Sequence, residues 1–306
     1  MHSYPRQHTL RHLLEAWAAR PQATTVALVI ATQGSSYRKA GALALIDADG
    51  LVAGCISGGC LEAELVVDAQ VALASGDCQR RQYDTRGDDD RWFGSQSGCR
   101  GASEVLLWPA PAPHPLLTAL AAADAQHRSL WVDCTGVRPL IHEHAAEQWV
   151  RIPPPPRVLL LGGGPEAPPL LALARTLGWR VDVIEHRLRY HADGRLAAAD
   201  RCIESRPAEA LARLDIDRYD AALCATHLFD EDKRCLELLA GSSLPLVGLL
   251  GPPARRDELL AELDDATRGQ LGSRLQAPVG LPLGAHGPEA VAMAIAARLT
   301  QQFAHG

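Results

Sequence analysis

The chain has no apolar run approaching the ~20 residues that span a bilayer; stretches such as Val26 to Ala31 and Val158 to Leu161 are far shorter. Its first turns carry Arg6, His8, Arg11 and Glu15 in place of the apolar core of a signal peptide, so a cytoplasmic protein with no membrane partner is expected. It has no CxxC pair, and its eight cysteines in 306 residues are too sparse for a disulfide scaffold, which points to reduced thiols. It also lacks an excess of positive charge. A formal net charge of −6 without a basic stripe leaves nothing to follow a phosphate backbone, and nucleic acid is excluded as a partner.

What the sequence does have is two glycine-flanked cysteine segments, Cys55-Ile-Ser-Gly-Gly-Cys60-Leu-Glu62 and Gly98-Cys99-Arg100-Gly101. Glycine beside a thiol lets the backbone turn at positive φ and lets a ligand come close to the main chain. Cys134, Cys202 and Cys224 lie in or beside apolar runs and read as inert core thiols.

At 306 residues the chain has room for two domains, and Pro153 to Pro156 forms a stiff segment that neither a helix nor a central strand accepts. The expected division is 1–152 and 153–306. In the first part, short apolar runs at 26–31, 42–46, 51–55 and 105–108 read as strands, and apolar spacing from Leu61 to Ala74 reads as a helix. This gives an α+β domain with a mixed sheet. Ser57, Gly58, Gly59 and Cys60 then precede a helix N-terminus, where backbone N–H groups can bind an anion or support a thiolate. Ser35 to Lys39, between Gly34 and Gly41, place two hydroxyls and two cations in a turn that is either an anion cradle or a solvated loop. Asp88 to Asp90 read as a solvated helix start, and His142 and His144 as surface residues of a strand.

In the second part, Val158 to Leu161, Gly162-Gly-Gly164-Pro-Glu-Ala167, a helical repeat over 170–177 and Val181 to Glu185 read as strand, turn, helix, strand. That is the opening of a Rossmann-like domain with a mainly parallel sheet. Gly162 would make the tight turn, Gly164 would admit a phosphate, and Glu185 would stand where a ribose hydroxyl is read. His227 follows a further strand and is either an acid, base or anion contact or the partner of a neighbouring loop carbonyl. Pro165 and Glu166 count against a tightly held NAD, because one lacks an N–H and the other carries negative charge.

These segments together resemble the XdhC/CoxI family, the maturation factors of xanthine dehydrogenase and related molybdenum hydroxylases. The resemblance rests on Gly34-Ser-Ser-Tyr-Arg38, on Ser57-Gly-Gly-Cys-Leu-Glu62, on Gly98-Cys99 with Gly101, and on the second half, including Thr226-His227 and Ala277 to Gly284. It implies a chaperone that binds molybdenum cofactor, as the pterin or its dinucleotide, supports its sulfuration and hands it to an apo molybdenum hydroxylase. It further implies a cysteine desulfurase as a second partner and a homodimer. The expected cofactor contacts are Ser36, Arg38, Ser57, Gly58, Gly59, Glu62, Arg100, Gly162, Gly164, Glu185 and His227. Cys60 and Cys99 are the expected thiols, as molybdenum contacts or sulfur carriers, in a cleft between the domains. The chain departs from the family pattern at Pro165, where a His is common, at Glu185 for Asp, and at Arg100 for Gly. The competing reading is an NAD(P)-dependent oxidoreductase that uses His227, and a third is a docking platform whose cysteines are structural.

Overall fold

The computed structural model describes residues 8–84, 101–136, 138–284 and 286–304. By internal contacts the chain forms two compact units, residues 1–155 and 156–306. Cys99, Arg100 and Asp88 to Asp90 lie outside the described residues.

The first unit runs α1 (Leu10–Ala19), β1 (Thr24–Gly34), β2 (Leu43–Asp47), β3 (Gly50–Gly54), α2 (Glu62–Ser75), β4 (Gln79–Asp84), β5 (Gly101–Ala110), α3 (Pro115–Ala125), β6 (Leu130–Asp133), β7 (Leu140–His142) and β8 (Val150–Ile152). Its main sheet has the order β3-β2-β1-β5-β4. Every pairing in it is antiparallel, which narrows the mixed sheet expected from the sequence. The central strand β1 reads as a continuous apolar run because both of its faces are covered. Val26 and Leu28 pack against Leu13 of α1 and Leu116, Leu117 and Leu120 of α3, while Ala27 and Val29 pack against Leu65, Ala69 and Ala72 of α2. β6, β7 and β8 form a small separate sheet.

The second unit runs β9 (Arg157–Leu161), α4 (Ala167–Leu177), β10 (Arg180–Glu185), α5 (Leu188–Ala192), β11 (Arg201–Glu204), α6 (Pro207–Leu211), β12 (Ala221–Cys224), α7 (Phe229–Ala240), β13 (Leu246–Leu249), α8 (Pro253–Glu262), α9 (Asp265–Leu271), β14 (Leu275–Gln276) and α10 (Pro288–Phe303). The six strands pair in parallel in the order β11-β10-β9-β12-β13-β14. One face is covered by α4 and α10, the other mainly by α7, α8 and α9. The chain reverses direction across the sheet between β9 and β12, so a crevice opens beyond the carboxyl ends of those strands. Among the described residues, no helix is long and apolar enough to cross a membrane.

Candidate functional site

In the first unit, the segment between β3 and α2 is folded around one carboxylate. Glu62 is buried, and its Oε1 accepts the N–H groups of Ile56 at 3.2 Å and Ser57 at 2.9 Å. The Ser57 hydroxyl donates to Glu62 Oε2 and accepts the N–H groups of Gly59 at 3.1 Å and Leu61 at 3.2 Å. Donors that the sequence reading offered to a ligand are thus used to build the loop. Ser57 and Glu62 act as its frame, and Gly58 lies against the Tyr37 ring.

Half-buried Cys60 lines a pocket of about 30 Å³, room for roughly one water, together with Ser36, Ser57, Tyr83, Gly101 and Ser103. Ser36 donates to the Arg38 carbonyl at 2.7 Å, and its hydroxyl lies 3.2 Å from that of Ser103. Arg38 is half-buried, with one Nη2 bond to the His8 carbonyl at 3.4 Å. Cys55 is fully enclosed. Burial pushes its thiol pKa up, and Glu62 adds to this while Arg38 opposes it, so Cys55 stays protonated. The strand that continues the Cys99 segment begins at Gly101, in the wall of the Cys60 pocket.

In the second unit, the glycine turn is tied to Glu185. Gly163 N–H donates to Glu185 Oε2 at 2.6 Å, while Arg187 donates from its backbone N–H and Nε to Oε1 at 2.7 and 2.8 Å and from Nη2 to Oε2 at 2.6 Å. Burial would raise the carboxyl pKa, but the bonds from Arg187 and Gly163 and the guanidinium charge outweigh it, leaving about 2. Glu185 has no exposed surface. Its carboxylate therefore lies inside the turn and holds it closed, a different place from the rim position of a ribose contact.

Gly162 has φ +115°, and a Cβ there would lie 2.2 Å from the Ala225 carbonyl oxygen, so the tight turn requires glycine. Gly164 is open for another reason: a Cβ would come within 2.5 Å of both Glu166 Oε1 and His227 Nε2. The space expected to admit a phosphate is taken by that carboxylate and imidazole. Helix α4 offers an incoming anion little in addition. Ala167 N–H is bonded to the Gly164 carbonyl at 3.1 Å, and the next two positions are Pro168 and Pro169, which have no N–H.

The large cavity of this unit, about 870 Å³, opens beside that turn. Its walls are mostly apolar and come from the ends of β9, β12 and β13, from the Pro278 to Gly284 run and from α10, including Val279, Leu281 and Ala294. Its charged or ionisable lining side chains are Glu166, His227 and Arg255, the last held from behind by the buried Asp232. His227 Nε2 lies 3.0 Å from Glu166 Oε1, and Arg255 Nη2 donates to Asp232 Oδ2 at 2.5 Å. Asp232 is oriented in turn by the Thr226 hydroxyl at 2.7 Å and N–H at 3.2 Å. The bond to Glu166 raises the His227 pKa; partial burial opposes it, and the charges of Glu166 and Asp232 reinforce it. His227 also has φ +63°, a left-handed conformation that a non-glycine residue adopts at a cost of about 1–3 kcal/mol. With His227 protonated the two pairs sum to zero charge. They present hydrogen-bond donors to a ligand without the net positive charge a diphosphate would need.

The structure thus groups Cys60, Ser36, Ser57, Gly58 and Glu62 in one place, with Arg38 on the adjoining turn, and Gly162, Gly164, Glu185 and His227 in another. The sequence reading missed Arg255, took Asp232 only for a helix cap, and had the Ala277 to Gly284 run as a family segment without its place in a cavity wall. The signal for the wall was the glycine- and proline-rich run itself, and for Arg255 the Gly251-Pro252-Pro253 turn just before it. Cys202 is a correction: it is exposed on β11 rather than packed in the core, whereas Cys134 and Cys224 are buried as expected. His142 ends β7 stacked on Trp149 with ring centroids 3.9 Å apart, and His144 is exposed beyond the strand.

The chain thus combines an antiparallel α+β unit that carries a glycine-framed cysteine loop with a Rossmann-like unit that carries a cavity of about 870 Å³. The comparisons place it more closely. The family described as the XdhC Rossmann domain matches residues 158–299, and the XdhC and CoxI family matches 17–84. A Bacillus subtilis protein, by its name a probable xanthine dehydrogenase component, is 29% identical over 94% of this chain and 96% of its own length. A Bacillus halodurans crystal structure described as a xanthine dehydrogenase is 28% identical, covers 97% of this chain and 96% of its own, and has a TM-score of 0.83. The chain belongs to the XdhC/CoxI family.

Proposed function

We propose that this chain is an accessory protein of a xanthine dehydrogenase-type enzyme: it binds molybdenum cofactor, shields it while its sulfur ligand is installed, and passes it to the apo-hydroxylase. Family membership and the names of the relatives support the choice of client. The observation that carries the reading is the cavity of about 870 Å³ in the second unit. It falls within the roughly 300–1,000 Å³ of small-molecule sites and combines apolar walls with a few fixed polar groups. A flat heteroaromatic ring such as a pterin suits it, with ring nitrogens and carbonyls accepting from His227 and Arg255.

In this reading, Glu166 holds the His227 imidazole and Asp232 holds the Arg255 guanidinium, so both donors are oriented before the ligand arrives. The apolar walls exclude water from the bound ring. The resemblance assigns Cys60 and Cys99 of the first unit as soft thiols for molybdenum or as sulfur carriers, with a cysteine desulfurase as the source of the installed sulfur. The NAD(P) reading is weakened by the same residues that suggested it. Glu185 is engaged by Gly163 and Arg187, and the first turn of α4 carries two prolines. The test is to incubate the chain with free cofactor, pass it through gel filtration and measure molybdenum in the protein peak. Retention is expected, and a molybdenum-free peak would overturn the reading.

A further inference from the structure

Cys202 does not stand alone on its strand. β11 is the edge of the parallel sheet and pairs with β10 only, with Cys202 opposite Val183, and the sulfur is exposed. Ile203 turns to the opposite face and packs on the core, which leaves Cys202 facing α5. There its Sγ lies 3.4 Å from His191 Nδ1. The other nitrogen of that ring, Nε2, lies 2.7 Å from the Glu185 carbonyl oxygen. A carbonyl only accepts, so Nε2 carries the hydrogen, and in the neutral imidazole Nδ1 is left with a lone pair directed at the thiol. Nucleophile, base and a third group that orients the base are the parts of an activated thiol.

The thiol itself is not a standing thiolate. Partial burial and the charges of Glu185 and Glu204 push its pKa up, so it rests protonated and depends on His191 to take the proton as it attacks. Glu185 thereby links two places, since its side chain closes the glycine turn and its carbonyl fixes the His191 ring.

We propose that Cys202 and His191 form a second reactive site, a nucleophilic thiol with its general base, whose substrate class is the sulfur–sulfur bond of a disulfide or persulfide. His191 Nδ1 takes the thiol proton, Cys202 Sγ attacks one sulfur, the S–S bond breaks, and the leaving thiolate recovers the proton from His191. With a disulfide the products are a mixed disulfide on Cys202 and a free thiol. With a persulfide donor attacked at its outer sulfur, the products are a persulfide on Cys202 and the donor's thiol. Both exchanges balance without an added oxidant or reductant. The site is independent of the cofactor reading, and either can fail without the other.

The test treats the full chain with dithiodipyridine in one arm and cysteine persulfide in the other, and follows each cysteine by peptide mass spectrometry. Cys202 is expected to react ahead of Cys60 and Cys78. His191→Ala should slow Cys202 about tenfold or more and leave the rate at Cys60 unchanged. His191→Gln keeps an N–H for the Glu185 carbonyl but supplies no base, so it separates loss of the base from loss of the fold, which circular dichroism checks. Reaction with the disulfide alone would identify mixed-disulfide exchange, and reaction with the persulfide would identify sulfur carriage; either supports the site. Cys202 reacting no faster than Cys60, or unchanged by both His191 variants, would overturn it.

Discussion

Glu166 and His227, sixty-one residues apart in sequence, meet over Gly164 at 3.0 Å and occupy the side of the glycine turn from which a phosphate would approach. The pair converts an anion-binding turn into one wall of a largely apolar cavity. Its charge state depends on pH. His227 has its pKa raised, so its bond to Glu166 contributes stability that is fully present below the ordinary histidine value of about 6.5 and is lost as pH rises through the raised value. An NMR titration of the His227 ring should show a midpoint above that ordinary value. Glu166→Gln should move the midpoint down, and no movement would show that the carboxylate does not hold the imidazole.

The Glu185 carboxylate has the opposite sign. Its pKa is depressed to about 2, so its contribution is present above the ordinary carboxylate range and is lost as pH falls toward the folded value. Glu185→Gln should cost on the order of 3 kcal/mol at neutral pH by the size of that shift and reduce the acid sensitivity of unfolding. Urea denaturation at several pH values measures both. An unchanged midpoint would remove Glu185 as the tie of the glycine turn.

NADH and NADPH should give no binding heat in titration calorimetry, because Pro168 and Pro169 stand in the first turn of α4 and Glu166 fronts the glycine turn. Submicromolar affinity for either would contradict this placement of the residues and favour the oxidoreductase reading.

In the first unit, Glu62→Ala should destabilise by about 3 kcal/mol or more, since it strands buried donors of Ile56 and Ser57. Cys60→Ser should stay within roughly 0.5 kcal/mol of wild type, because a half-exposed thiol frames nothing. Thermal melts of the two variants check the contrast. Equal losses would mean that Cys60 is part of the frame.

The parallel sheet of the second unit was legible because β9, β10 and β12 are short apolar runs between a glycine turn and helical repeats. β4 was not, because Gln79 to Asp84 is a polar edge strand with Tyr83 as its one buried side chain. Glu185 was found at the right strand end, but sequence could not show that Arg187, two residues on, would draw its carboxylate inward. Cys202 was misread because it sits beside Ile203. Only the edge position of β11 reveals that one face of that strand is uncovered. The cavity was missed as a cavity because its walls come from four separated segments, although the Pro278 to Gly284 run and His227 were each visible in the sequence.

The most direct measurement of the central claim is the molybdenum content of wild-type chain and of Ala290→Trp after loading with free cofactor, since Ala290 lines the cavity and a tryptophan ring there would take up part of the space a bound ring needs. With circular dichroism showing both folded, the account predicts roughly stoichiometric molybdenum in the wild type and at most a small fraction of that in the variant. Equal loading of the two, or none in the wild type, would contradict it.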